Sequence, residues 1–106
     1  MAKHIVLTYE GTEYTLEFDR KTVKRMEENG FVVNTDKPMT MISDLFRGAF
    51  MMHHKRITPD KVDEIWDAQR NKDKLLSELV SMYTEPIAAL MDEAEGEDEN
   101  PTWKVV

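Results

Sequence analysis

Between Ile5 and Phe18 apolar and polar residues alternate with period two, the repeat that turns every second side chain of an extended strand to one face. A turn at Glu10-Gly11 sets Ile5 opposite Leu16 and Leu7 opposite Tyr14, gathering Ile5, Leu7, Tyr9, Tyr14, Leu16 and Phe18 on one side of a hairpin over residues 4–18. Val6, Thr8, Glu13, Thr15 and Glu17 then face the other way. Gly11 supplies the positive φ of a tight two-residue turn, whereas Glu10 is a poorer turn residue than Asn or Asp, so a longer loop stays open. A lone hairpin is marginally stable in water, so its apolar face requires helices to cover it.

Past Phe18 the period changes to three and four. Asp19 predicts the cap of a helix over about 20–29, with Val23 and Met26 inward and Gly30 as the stop. Pro38 opens a longer, central helix reaching about His54, in which Met41, Ile42, Leu45, Phe46, Ala49, Phe50 and Met52 or His53 form the apolar stripe despite Gly48. Thr58-Pro59-Asp60 combines a cap, a first-turn proline and an acidic first turn, opening a helix that presents Val62, Ile65, Trp66 and Gln69 and ends near Arg70. A further helix starts near Asn71 with Leu75, Leu76, Leu79, Val80 and Tyr83 inward; Pro86 interrupts or kinks it before Ile87, Leu90 and Met91 resume the stripe. The expected fold is α+β and mostly helical, an N-terminal β-hairpin packed on a bundle of four or five helices, in a single globular domain over 1–92.

Charge changes the picture at the other end of the chain. The formal net charge is −7, and six carboxylates fall in eight positions from Asp92 to Glu99, so residues 93–106 are expected to form an acidic, flexible tail. The negative balance removes the electrostatic attraction behind most non-specific nucleic-acid binding. No apolar run approaches a membrane span, no export signal is visible, and the absence of cysteine excludes disulfides. These features lead to the expectation of a soluble cytoplasmic protein.

Catalytic chemistry finds little to stand on. His53 and His54 are adjacent, about 100° apart on a helix, where a metal site needs ligands converging on one point. His53 falls near the apolar stripe and is expected to be a partly buried structural residue, while His4 should face solvent. The carboxylate pairs read as solvated faces, the serines lack a histidine placed as a base, and the glycines are too scattered for a phosphate loop. The sequence therefore predicts no enzyme, no cofactor and no metal site.

Methionine is the informative residue, eight in all with Met39, Met41, Met51 and Met52 around the central helix. Flexible thioethers fill irregular cores and also make adaptable binding surfaces. Met41 is in register with Leu45 and reads as core; for Met39, Met51 and Met52 both uses are open. Pro101-Thr102-Trp103-Lys104-Val105-Val106 places an aromatic and two valines beyond the acidic run, a segment that can serve as a linear binding motif, dock as a strand on its own hairpin or stay solvated.

Tyr9-Glu10-Gly11, Glu13 to Phe18, Arg20-Lys21-Thr22-Val23, Pro38-Met39-Thr40-Met41, Leu45-Phe46 and Gly48-Ala49-Phe50 together resemble a family of small phage and prophage proteins. Met82 to Met91 and the acidic run ending near Trp103 extend the resemblance over most of the chain. Such proteins are similar to the tail assembly chaperones of long-tailed siphophages, small acidic proteins encoded between the major tail protein and the tape measure protein. The resemblance implies a chaperone in the host bacterial cytoplasm that binds the tape measure protein, assists polymerisation of the major tail protein and leaves before the virion is complete, with a homo-oligomer as one state. Its matching residues are packing and turn positions, so it assigns no functional residue. The binding residues expected from the pattern are Met39, Phe46, Phe50, Met51 and Met52, bordering an apolar groove for an amphipathic helix, together with Trp103. The alternatives are an acidic regulator that mimics DNA towards a nucleic-acid-binding protein, and a structural component retained in the tail.

Overall fold

A computed structural model describes residues 3–96 and 102–106. Six elements follow in order: β1 (His4–Tyr9), β2 (Thr12–Glu17), α1 (Arg20–Glu28), α2 (Pro38–Phe50), α3 (Pro59–Asp67) and α4 (Lys72–Ala89). The fold is α+β, an N-terminal antiparallel hairpin followed by four helices.

The hairpin adopts the register set by its alternation, with Ile5 paired to Leu16 and Leu7 to Tyr14. Tyr9 pairs with Thr12, so only Glu10 and Gly11 form the turn, and both have positive φ, 50° and 78°. That is the backbone of a type I′ turn, whose twist matches the two strands; Glu10 takes the left-handed conformation without being glycine, asparagine or aspartate.

Capping side chains fix two helix starts. Asp19 accepts from the Thr22 amide at 2.8 Å, and Thr58 from the Lys61 amide at 3.2 Å. The Asp19 carboxyl is held below its ordinary pKa first by the hydrogen bond from Thr22. Asn71 enters α4 at φ 57°, a left-handed position that asparagine tolerates.

Three boundaries differ from the sequence expectation. α2 ends at Phe50 rather than His54, because the chain tightens there: Met51 N–H donates to Gly48 O and His53 N–H to Phe50 O, three residues back. α3 ends at Asp67, where the Gln69 side chain occupies the Ile65 carbonyl at 2.8 Å and closes the helix early. α4 continues through Pro86 to Ala89, so no interruption occurs and the bundle has four helices among the described residues. Proline costs that helix one amide donor.

α2 is the hub. Met41, Leu45, Phe46, Ala49 and Phe50 on its inner face are buried, and α2 packs against β2, α3 and α4 while α1 packs on α4. Leu7, Leu16 and Phe18 from the hairpin, Val62 and Ile65 from α3, and Leu79, Met82 and Tyr83 from α4 complete the core. Edge-to-face aromatic pairs run through it, from Trp66 to Phe46 to Phe50 to Tyr14 and separately from Phe18 to Tyr83 to Phe31. Gly48 is buried beside the Met26 side chain of α1: a Cβ there would lie 2.5 Å from Met26 Sδ. No buried side-chain polar atom among the described residues lacks a partner.

His53 is not the partly buried histidine that the apolar stripe predicts; its neighbour His54 is. In the hairpin register Thr15 lies opposite Val6 in a pair that exchanges no ladder bonds, so its amide points outward from β2. His54, half-buried, accepts that N–H on Nε2 at 3.0 Å and stacks edge-on to Tyr14 and Phe50. Burial first, and then the neighbouring His53, lower the His54 pKa, which favours the neutral ring that can accept. His53 is instead exposed, 2.9 Å from Glu17 Oε1, and His4 is exposed as expected.

Candidate functional site

Helix α2 carries two hollows, one on each half. The first lies between its opening turns and α3, has a volume of about 590 Å³ and is lined by Met39, Ile42 and Trp66 with Asp44, Asp63 and Asp67. Pro38 starts the helix in such a way that Met39 falls on its outer face, where the side chain is 88% exposed. Ile42, one turn on, and Trp66, stacked on Phe46 at 5.1 Å, are partly buried and continue the apolar floor into the core. Ser43 donates to Asp63 Oδ1 at 2.9 Å and ties the two helices at the rim. A flexible thioether, an aliphatic side chain and an indole within a carboxylate rim suit an amphipathic helix with basic flanks.

The second hollow, about 620 Å³, lies between α1 and the end of α2. Met26, Phe31, Met51 and Met52 line it together with Lys21, Arg25, Arg47 and Lys55, with Asp19 and Asp44 as its acidic members. Asp44 touches both hollows.

The six expected binding residues do not converge on one groove. Met39 belongs to the acidic hollow, and Met51 and Met52, partly buried, belong to the basic one. Phe46 and Phe50 are 0% exposed, a correction to their expected place beside a groove: spaced by four on the inner face of α2, they pack on each other at 5.0 Å and are inaccessible. Trp103 is 71% exposed and its neighbours from Thr102 to Val106 are exposed too, and the segment does not pair with the hairpin as a further strand. Of the acidic tail, Glu97, Asp98, Glu99, Asn100 and Pro101 lie outside the described residues, and the expectation of flexibility for them lies there too.

The sequence pattern places Ile42 and Trp66 on core faces, reads Asp63 as part of a solvated acidic face and gives Asp44 and Asp67 no role. The readable signal was Met39 and Ile42 three apart, continuing an apolar line beyond the core stripe, with Asp63, Trp66 and Asp67 at matching spacing on α3. Elsewhere, Tyr9 donates to Glu64 Oε2 at 2.6 Å and Lys61 Nζ lies 3.2 Å from the same oxygen. The Tyr9 pKa is raised, first by that bond, and the Glu64 pKa is lowered by it, in an exposed clamp joining β1 to α3. Among the described residues no group of three or more His, Asp or Glu side chains is placed to hold a metal ion, and no helix is long and apolar enough to cross a membrane.

Neither the curated proteins nor the solved structures include a significant match to the chain. The family model described as a domain of unknown function, DUF5055, matches residues 1–106, and the chain belongs to that family.

Proposed function

We propose that this protein is a non-enzymatic assembly factor of the tail assembly chaperone kind, which shields amphipathic helical segments of the tape measure protein while tail tube subunits polymerise around it. The observation that carries the reading is the acid-rimmed apolar hollow of Met39, Ile42 and Trp66 beside Asp44, Asp63 and Asp67. An apolar helix face would cover the exposed Met39 and the edge of Trp66, and basic residues flanking that face would meet the three carboxylates. The net charge of −7 would keep the loaded complex dispersed. The resemblance to siphophage tail assembly chaperones supports the tape measure protein as the helical partner, and the lining of the hollow supports an apolar docking face with basic flanks.

Co-expression with the tape measure protein tests this directly. The tape measure should gain soluble yield and co-purify, and Met39→Asp, a change at an exposed position, should weaken the complex by about tenfold or more. No gain in solubility together with no co-purification overturns the proposal.

A further inference from the structure

The hollow at the end of α2 has a chemistry opposite to that of the protein that bears it. Lys21 and Arg25 stand four apart on α1, and Arg47 and Lys55 come from α2 and the turn after it, giving four cations against the two carboxylates Asp19 and Asp44. Asp19 is occupied by its capping bond to the Thr22 amide. None of the four cations is ion-paired with another described residue. Between them lie the thioethers of Met26, Met51 and Met52, which can adjust to an apolar or aromatic anchor. A concave site with a basic rim and a soft apolar floor fits an acidic segment carrying such an anchor.

The chain itself contains that ligand. Asp92, Glu93, Glu95, Glu97, Asp98 and Glu99 are followed within a few residues by Trp103, which is 71% exposed. We propose that the basic hollow binds the acidic C-terminal segment, residues 91–106, of a second copy of this protein, with carboxylates on Lys21, Arg25, Arg47 and Lys55 and Trp103 on the methionines. The chain's own segment is poorly placed for this site. α4 ends with Ile87 and Leu90 beside Arg20, Val23, Lys24 and Glu27, whereas the hollow uses Lys21, Arg25 and Met26. At about 100° per residue these two sets lie on nearly opposite faces of α1, so an intramolecular segment would have to wrap around that helix. Two copies could exchange segments reciprocally, the arrangement of a two-fold dimer. This surface shares only Asp44 with the acidic hollow used above, and its test does not depend on that hollow binding anything.

Full-length protein with ¹³C-methyl methionine, followed by NMR and by sedimentation over a range of concentrations, tests the proposal. A synthetic peptide of residues 91–106 should shift the Met26, Met51 and Met52 methyls and leave Met39 unmoved, and the same three methyls should shift as the protein dimerises on concentration. Arg25→Glu with Arg47→Glu, both at exposed positions, should weaken peptide binding and dimerisation by about tenfold or more, as should the six Glu/Asp→Gln/Asn changes in the peptide, which leave the fold untouched. A monomer at every concentration overturns the second-copy assignment, including the case in which the methyls are already shifted by the chain's own segment. A peptide that moves none of the three methyls, or that binds equally well without its carboxylates, overturns the site.

Discussion

The two halves of α2 carry hollows of nearly equal volume, about 590 Å³ at its start and about 620 Å³ at its end, yet their rims have opposite charge. Both use methionine as the adaptable apolar element, Met39 at one and Met26, Met51 and Met52 at the other. The difference lies in the neighbouring helix: α3 contributes Asp63 and Asp67, whereas α1 contributes Lys21 and Arg25. A net charge of −7 therefore describes long-range behaviour but says little about either site, because at physiological salt charges more than about 8 Å apart are screened and each rim acts on what touches it. On the proposed reading, apolar content would make both surfaces adhesive and the local sign of charge would decide what adheres.

The largest effects should fall on the core that holds both hollows open. Phe46→Ala removes a fully buried ring packed on Phe50 and on Trp66, the floor of the acidic hollow, and should cost about 3 to 5 kcal/mol in urea unfolding. Leu16→Ala, at a fully buried hairpin position, should cost about 2 to 5 kcal/mol. Met39→Ala should stay within about 0.5 kcal/mol, since the side chain is already in water. Equal losses for Phe46 and Met39 would erase the distinction between core and docking surface on α2.

Much of this architecture was legible in the residues. Period-two alternation placed all six hairpin residues on one face and set the register, because a one-residue slip would turn every one of them to solvent. Asp19 and Thr58 announced their helices by the side-chain oxygen an N-terminus needs. The hollows were less readable, since each joins residues distant in sequence: Met39 to Asp67 across α2 and α3, Lys21 to Lys55 across α1 and α2. Phe46 and Phe50 show the cost of reading one helix alone. Periodicity identified their face as apolar, but whether that face meets a partner or the chain's own β2, α3 and α4 is decided by tertiary packing. His53 departs from its expected partial burial, and His54 takes that place, for a similar reason. The tighter turn after Phe50 carries His54 to the outward amide of Thr15, a contact between residues 39 positions apart.

A smaller effect should appear as a pH dependence of stability arising where the turn after α2 meets β2. His54 has a folded pKa below its ordinary 6.5, chiefly from burial, so the unfolded chain binds its proton more readily. Its contribution to stability is present above pH 6.5 and is lost as the pH falls through 6.5 towards the lower folded value. A protonated ring also cannot accept the Thr15 amide. Stability measured by urea unfolding should decline on acidification through this window, and His54→Gln should flatten that slope. His53→Gln, which removes the lesser of the two causes lowering the His54 pKa, should reduce the slope only in part. A slope unchanged by His54→Gln would remove His54 as its source.

A small effect on stability, and the sharpest on the comparison, belongs to Gly48→Ala. Alanine in a helix interior is favoured over glycine by up to about 1 kcal/mol. The new methyl would meet Met26 at 2.5 Å from Sδ and 2.6 Å from Cε, and Phe18 Cε1 at an ordinary 3.4 Å. Both close contacts are at the end of a flexible, partly buried side chain bordering the basic hollow, so Met26 can swing into that space while the backbone stays in place. Lost Met26 packing then offsets the helical gain, and the net change in unfolding free energy should fall within about 1 kcal/mol of zero. The Met26 methyl resonance should nevertheless move strongly and Met39 should not, because the acid-rimmed hollow includes none of Gly48, Met26 and Phe18. Binding of the 91–106 peptide should weaken as Met26 fills its floor, while capture of a basic amphipathic helix at Met39 stays unchanged. Loss of both activities on this one substitution would mean that the two hollows are coupled through α2 rather than independent.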